Sequence, residues 1–200
     1  MNDFRGSIRE YVSGEALPRD KFGHQPRLYE LTKAVGAGYI YDDDVVFAAT
    51  WLHDLGVYSG HRPEDPALLA AWDNVAYAVE RAPSILRSCG FPLNKIDAVA
   101  EAIRTHQPSG QPVKIEGIIL RDADILEQLG AMAVLRTACK VGRDTRFPTF
   151  TAVADSLRAS LANLPGQIRL DTTRALAAPK IELLELFLAG LEREAYGALY

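Results

Sequence analysis

Apolar residues recur along the chain at three- and four-residue spacing and nowhere alternate with polar ones over a useful length, so the pattern predicts helices throughout. Phe4, Ile8, Tyr11, Val12 and Leu17 outline a first helix over 3–17 that stops at Pro18. After a loop at 19–23, Leu28, Leu31 and Val35 set the face of a second helix that runs into Gly36 and Gly38, and His24 precedes Leu28 by one turn on that face. Asp42, Asp43 and Asp44 suit the N-terminus of a third helix, where carboxylates can cap it and oppose its positive dipole end. Val45, Val46, Ala49, Leu52 and His53 share that helix's inner side. Asp54 follows about 100° further round, so both side chains reach one point beside the helix end. The loop Gly56 to Pro66 breaks the periodicity and is long enough to shape a pocket mouth.

From Ala67 to Cys89 a helical pattern returns, which Pro83 should break or kink. Ile96, Val99, Ala100 and Ile103 then form a helix ending at His106, and Ile115, Ile118, Ile119, Ile125, Leu126 and Leu129 one over 113–129 closed by Gly130. Helices around 150–164 and 179–196 complete the chain. The expectation is an all-α protein, one domain over 1–200, with a core over about 20–145 and C-terminal helices over 148–200 packed on it.

Composition narrows the partners. The net charge of −4 arises from 26 acidic and 22 basic residues that are well mixed, so neither a nucleic-acid face nor a polybasic membrane patch is present. No apolar run approaches the roughly 18 residues of a membrane span, and the N-terminus lacks the layout of a signal peptide. Cys89 and Cys139 have no CxxC spacing and read as reduced, buried thiols of a cytoplasmic protein. These features point to a small substrate rather than a polymer. The C-terminal helix and Tyr196 to Tyr200 either close the domain or meet a second copy in a homodimer.

Chemistry-bearing residues stand where apolar ones are expected. His53 and Asp54 end an apolar run, His24 lies on an apolar face, and Asp122 and Asp124 interrupt an isoleucine-rich stripe. Buried carboxylates need partners, and a metal is one. Two imidazoles and two carboxylates make a mixed nitrogen and oxygen set for a divalent ion, with water in the open positions. Periodicity puts Asp122 in the middle of the stripe and Asp124 roughly opposite. No glycine-rich phosphate loop, GxGxxG or GxSxG occurs, so metal-bound water is the expected nucleophile. Arg143 and Arg146, on the loop at 142–148, are the candidate phosphoryl contacts, with Arg121 and Lys140 behind them.

The order His24 in Gly23-His24-Gln25, His53-Asp54 in Trp51-Leu52-His53-Asp54-Leu55-Gly56, and the aspartates of Arg121-Asp122-Ala123-Asp124-Ile125-Leu126 resembles the HD-domain superfamily of metal-dependent phosphohydrolases. The resemblance implies an HD-type helical bundle with His24, His53, Asp54 and Asp124 as metal ligands; a helix packed on more than one side would turn Asp124 to the site and leave Asp122 as a hydrogen-bond acceptor supporting them. It also implies a catalytic role for Asp54, which could orient the water, and places His106 where many members carry a further active-site histidine, as catalytic proton donor, ligand or phosphate contact. The implied cofactor is one divalent ion: manganese, iron, cobalt, nickel, zinc or magnesium. Asn74 stands where two-metal members carry a further histidine, which favours one metal and weighs against the two-iron oxygenase branch. The implied reaction is hydrolysis of a phosphoester or phosphoanhydride of a nucleotide or other small phosphorylated molecule by metal-activated water. The alternative is a non-catalytic, metal-containing module that binds such a ligand for regulation.

Overall fold

The computed structural model describes residues 3–143 and 146–199, and these residues form helices with no strand among them. Helix α1 (Phe4–Glu15) starts on Asp3, whose side chain accepts a hydrogen bond from the Gly6 amide. Helix α2 (His24–Val35) runs into Gly36, and α3 (Asp43–Leu52) starts on Asp42, whose carboxylate accepts from the Asp44 amide. The short α4 (Pro66–Ala70) precedes α5 (Asn74–Ser88), α6 (Ile96–Thr105) and α7 (Ile115–Glu127). Helices α8 (Gly130–Ala138), α9 (Phe150–Asn163) and α10 (Asp171–Ala195) follow.

Two prolines lie inside helices rather than at their ends. Pro83 lies inside α5, and the break falls earlier, at Ala71–Asp73, where the Asp73 side chain caps the helix by accepting from the Ala76 amide. Pro179 lies inside α10, which begins at Asp171 rather than near 179. An internal proline costs about 3 kcal/mol through one lost hydrogen bond and a clash. Buried residues on both sides of each proline offset it: Ala78 and Ala82 before Pro83, with Ile85 and Leu86 after it, and Thr173 and Ala177 before Pro179, with Leu184 and Leu188 after it. Cys139 is also a correction. Cys89 is buried as expected, but Cys139 is exposed at the C-cap of α8, past the helix's last turn.

The chain divides into two compact units, Met1–Arg121 and Asp122–Tyr200, and the division falls within α7. In the first unit α3 is the core: every residue from Val45 to Leu52 is buried, as befits a helix packed on all sides. Helices α1, α2 and α6 pack on α3, and α5 packs on α6. The polar start of α3 is tied down by Arg5, which donates to Asp43 at 2.8 Å and Asp44 at 2.6 Å, and by Lys95, which donates to Asp42 and Asp44 at 2.9 Å each. In the second unit α8, α9 and α10 pack in pairs. Among the described residues no helix is long and apolar enough to cross a membrane.

Candidate metal centre

The His-Asp pair straddles the end of α3. The His53 amide makes the last helical hydrogen bond, to the Ala49 carbonyl at 2.9 Å. Asp54 then takes φ −97° and ψ 12° and opens a one-turn 3₁₀ segment, Leu55–Val57, so it lies just past the helix rather than on it. Gly56 is required there by close approach: a Cβ would sit 2.6 Å from both the Cα and the carbonyl oxygen of Asn74, at the start of α5. Trp72 pins the same turn, its indole N–H donating to the Gly56 carbonyl at 2.8 Å. His24 is the first residue of α2, and His106 is the C-cap of α6.

Three of these side chains converge within the first unit. The Nε2 atoms of His24 and His53 lie 3.4 Å apart, and Oδ2 of Asp54 lies 3.6 Å from each. His53 Nδ1 is 2.8 Å from the Thr50 carbonyl, which can only accept, so in the neutral ring Nδ1 carries the hydrogen and Nε2 keeps its lone pair. His106 is held the same way, with Nδ1 donating to the Ile103 carbonyl at 2.6 Å, and its ring stands edge-on to His53 with centroids 4.9 Å apart. His24, His53 and His106 are buried, whereas the Asp54 side chain is 22% exposed, so solvent meets the group on the Asp54 side.

This donor set fits a divalent metal. Ligand distances of about 2.0–2.2 Å place neighbouring donors roughly 2.8–3.6 Å apart, depending on coordination geometry, and the three observed separations fall at the upper end of that span. Lone pairs of nitrogen and carboxylate oxygen so close together repel unless a proton or cation lies among them. The orienting carbonyls behind His53 and His106 are those expected for imidazoles that must present one nitrogen.

The other residues singled out from sequence lie as follows. Asp122, in the second unit, is fully buried, and its carboxylate accepts from the backbone amides of Arg169 at 3.1 Å and Leu170 at 2.8 Å. Asp124 is half-buried on α7, with Gln128 Nε2 donating to its Oδ2 at 3.1 Å. Arg121 is buried in the first unit and donates from Nε and Nη2 to the Pro108 carbonyl at 3.1 and 2.5 Å, holding the segment after His106. Arg143 and Arg146 are exposed in the second unit, where Arg146 and Lys140 lie over the Phe147 ring at 5.7 and 5.3 Å. His61 is separate from the donor cluster. It joins Glu15, 2.7 Å from Nε2, to the Tyr77 hydroxyl, 2.9 Å from Nδ1.

Sequence reasoning passed over Tyr58 and Gln25, both fully buried. The Gln25 amide is oriented so that its oxygen accepts from the Tyr58 hydroxyl at 2.5 Å and its nitrogen donates to the Lys21 and Phe22 carbonyls at 3.2 Å each. Burial, and then the Asp54 charge, push the Tyr58 phenol well above its ordinary value, so it stays a neutral donor. A tyrosine four residues after Asp54 and a glutamine beside His24 are the signals that were available.

Residues 22–129 match the family described as HD domain. Solved structures share the fold over nearly the whole chain. Bacillus subtilis YpgQ in complex with ADP is 23% identical at a TM-score of 0.71, over 96% of this chain and 94% of that one. The Lin1889 protein of Listeria innocua is 17% identical at 0.72, over 99% and 98%. A predicted HD superfamily hydrolase from an uncultured Thermotogales bacterium is 22% identical at 0.63, over 97% and 92%. At these identities the likeness is one of fold. No curated protein matches the chain.

Proposed function

We propose, from the premise that this chain belongs to the HD-domain family, that it is a metal-dependent phosphohydrolase acting on a nucleotide or similar small phosphorylated molecule. The observation that carries the reading is the donor triangle of His24, His53 and Asp54, with edges of 3.4 and 3.6 Å. Asp124 is assigned as the fourth ligand. The order of the motif supports it, as does the engagement of the Asp122 carboxylate by two backbone amides.

A bound divalent ion would polarise a phosphoryl oxygen and lower the pKa of the attacking water. The protein's part is to place and serve that reaction. His24 and His53 hold rigid nitrogen donors, the second fixed by the Thr50 carbonyl. Asp54, on the solvent side of the cluster, orients the water. His106, with Nδ1–H held by Ile103, offers Nε2 as the proton acceptor. Arg143 and Arg146 hold phosphoryl oxygens, while Arg121 positions the loop after His106 through the Pro108 carbonyl. Binding of ADP by YpgQ supports the nucleotide as substrate class.

The test is hydrolysis of a panel of nucleotides and phosphomonoesters with added manganese, cobalt, nickel, zinc or magnesium. The proposal expects turnover with at least one pairing, and its loss in both His53→Ala and Asp54→Ala. A wild-type protein that binds metal and nucleotide but turns over nothing with any ion would instead be the regulatory module.

A further inference from the structure

We propose that Lys21, Gln25 and Tyr58 form a brace that sets the spacing of the donor atoms; this rests on reading His24, His53 and Asp54 as metal ligands. His24 and Asp54 belong to segments 30 residues apart in sequence (54 less 24). Nothing in helix α2 or in the turn after α3 determines by itself how far apart the two side chains stand.

Two cross-links join those segments. Lys21 Nζ, three residues before His24, donates to the Val57 carbonyl, three residues after Asp54, at 2.7 Å. The second link, from Tyr58 beside Val57 to Gln25 one helical turn after Lys21, is side chain to side chain, the Tyr58 hydroxyl donating to the Gln25 amide oxygen at 2.5 Å. The Gln25 amide nitrogen then returns to the carbonyls of Lys21 and Phe22, which closes the ring and fixes the turn that delivers His24 into α2. Gln25 and Tyr58 are both fully buried, so water has no access to replace their bond. His24 and Asp54 therefore stand on two segments that cannot slide past each other, and Nε2 to Oδ2 is held at 3.6 Å. Metal affinity depends on placing donors to within about 0.5 Å, and removing the hydrogen-bond partners behind ligands typically lowers it 10–100-fold.

The experiment titrates Co²⁺ into the metal-free chain and follows its visible absorption, whose intensity and position report the number and arrangement of ligands. Wild type, Lys21→Met, Lys21→Arg, Tyr58→Phe and His53→Ala are compared, with thermal unfolding of each metal-free protein. Lys21→Met and Tyr58→Phe are expected to raise the Kd for Co²⁺ about 10–100-fold and to change the spectrum. Lys21→Arg, which keeps a cationic donor, restores part of the affinity. The half-exposed Lys21 allows its methionine variant to unfold within about 4 °C of wild type, so that variant decides the matter if Tyr58→Phe folds poorly. A folded Lys21→Met with wild-type affinity and spectrum, alongside a His53→Ala that has lost Co²⁺, overturns the brace alone. A wild-type chain that binds no Co²⁺ overturns the metal reading and the brace with it.

Discussion

The two aspartates of α7 show, at the scale of single residues, that burial alone does not identify a carboxylate's partner. Asp122 is fully buried, as its place in the apolar stripe predicts, yet its carboxylate serves amides 47 and 48 residues away. Periodicity can say that a carboxylate faces inward. It cannot say which partner waits there, because that partner comes from a distant segment with no pattern of its own. Asp122→Ala is expected to strand the buried Leu170 amide at a cost of about 1–3 kcal/mol, lowering Tm by several degrees while metal binding survives. Asp124→Ala is expected to do the reverse, keeping the Tm of the metal-free chain and losing metal. Melting curves and metal titrations of the two variants check this, and exchanged outcomes would move the ligand to Asp122. Tyr58 and Gln25 were illegible for the same reason: each looks like an ordinary core polar residue until the other is placed beside it.

At the scale of elements, the turn after α3 is set by contacts rather than by propensity. Gly56→Ala would drive a methyl group to 2.6 Å from the Asn74 backbone, which has no rotamer with which to yield. The expected cost is about 1–3 kcal/mol, read in thermal unfolding, together with weaker metal binding as Asp54 shifts. The start of α3 carries a pH-dependent term. Burial opposes ionisation of Asp44, but hydrogen bonds from Arg5 and Lys95 outweigh it and hold the carboxyl below its ordinary value of 3.8. A depressed folded pKa stabilises above the unfolded value, and that contribution is lost as pH falls through the folded one. Stability should therefore drop below about pH 4, and Asp44→Asn should flatten that part of a pH-dependent denaturation series; an unchanged slope would contradict the assignment. Helix existence was readable from spacing over most of the chain, the short α8 excepted. The continuation of α5 through Pro83 and of α10 through Pro179 was not, because burial on either side of each proline overrides a local penalty.

For the whole molecule, the class of fold was legible, and with it the order of the residues proposed as ligands. A chain of helices must bury apolar faces, and polar residues that interrupt those faces are few enough to be read as a set. The HD-domain match at 22–129 lies within the 20–145 core marked out by His24, His53-Asp54 and Asp124. The proposed phosphate contacts, Arg143 and Arg146, have less behind them in the sequence, since exposed arginines on a loop carry no periodic signal. A ligand that binds only the folded chain stabilises it, by about 2.7 kcal/mol at 100 times Kd. The bound metal should thus raise Tm by roughly 5–11 °C, and a chelator should reverse the shift.

The most direct test of the central claim is element analysis of the purified chain paired with metal-dependent phosphate release from nucleotides, in wild type and His53→Ala. One divalent ion per wild-type chain, turnover that requires it, and loss of both in the variant are the predicted result. Metal content and turnover left intact by His53→Ala would contradict it.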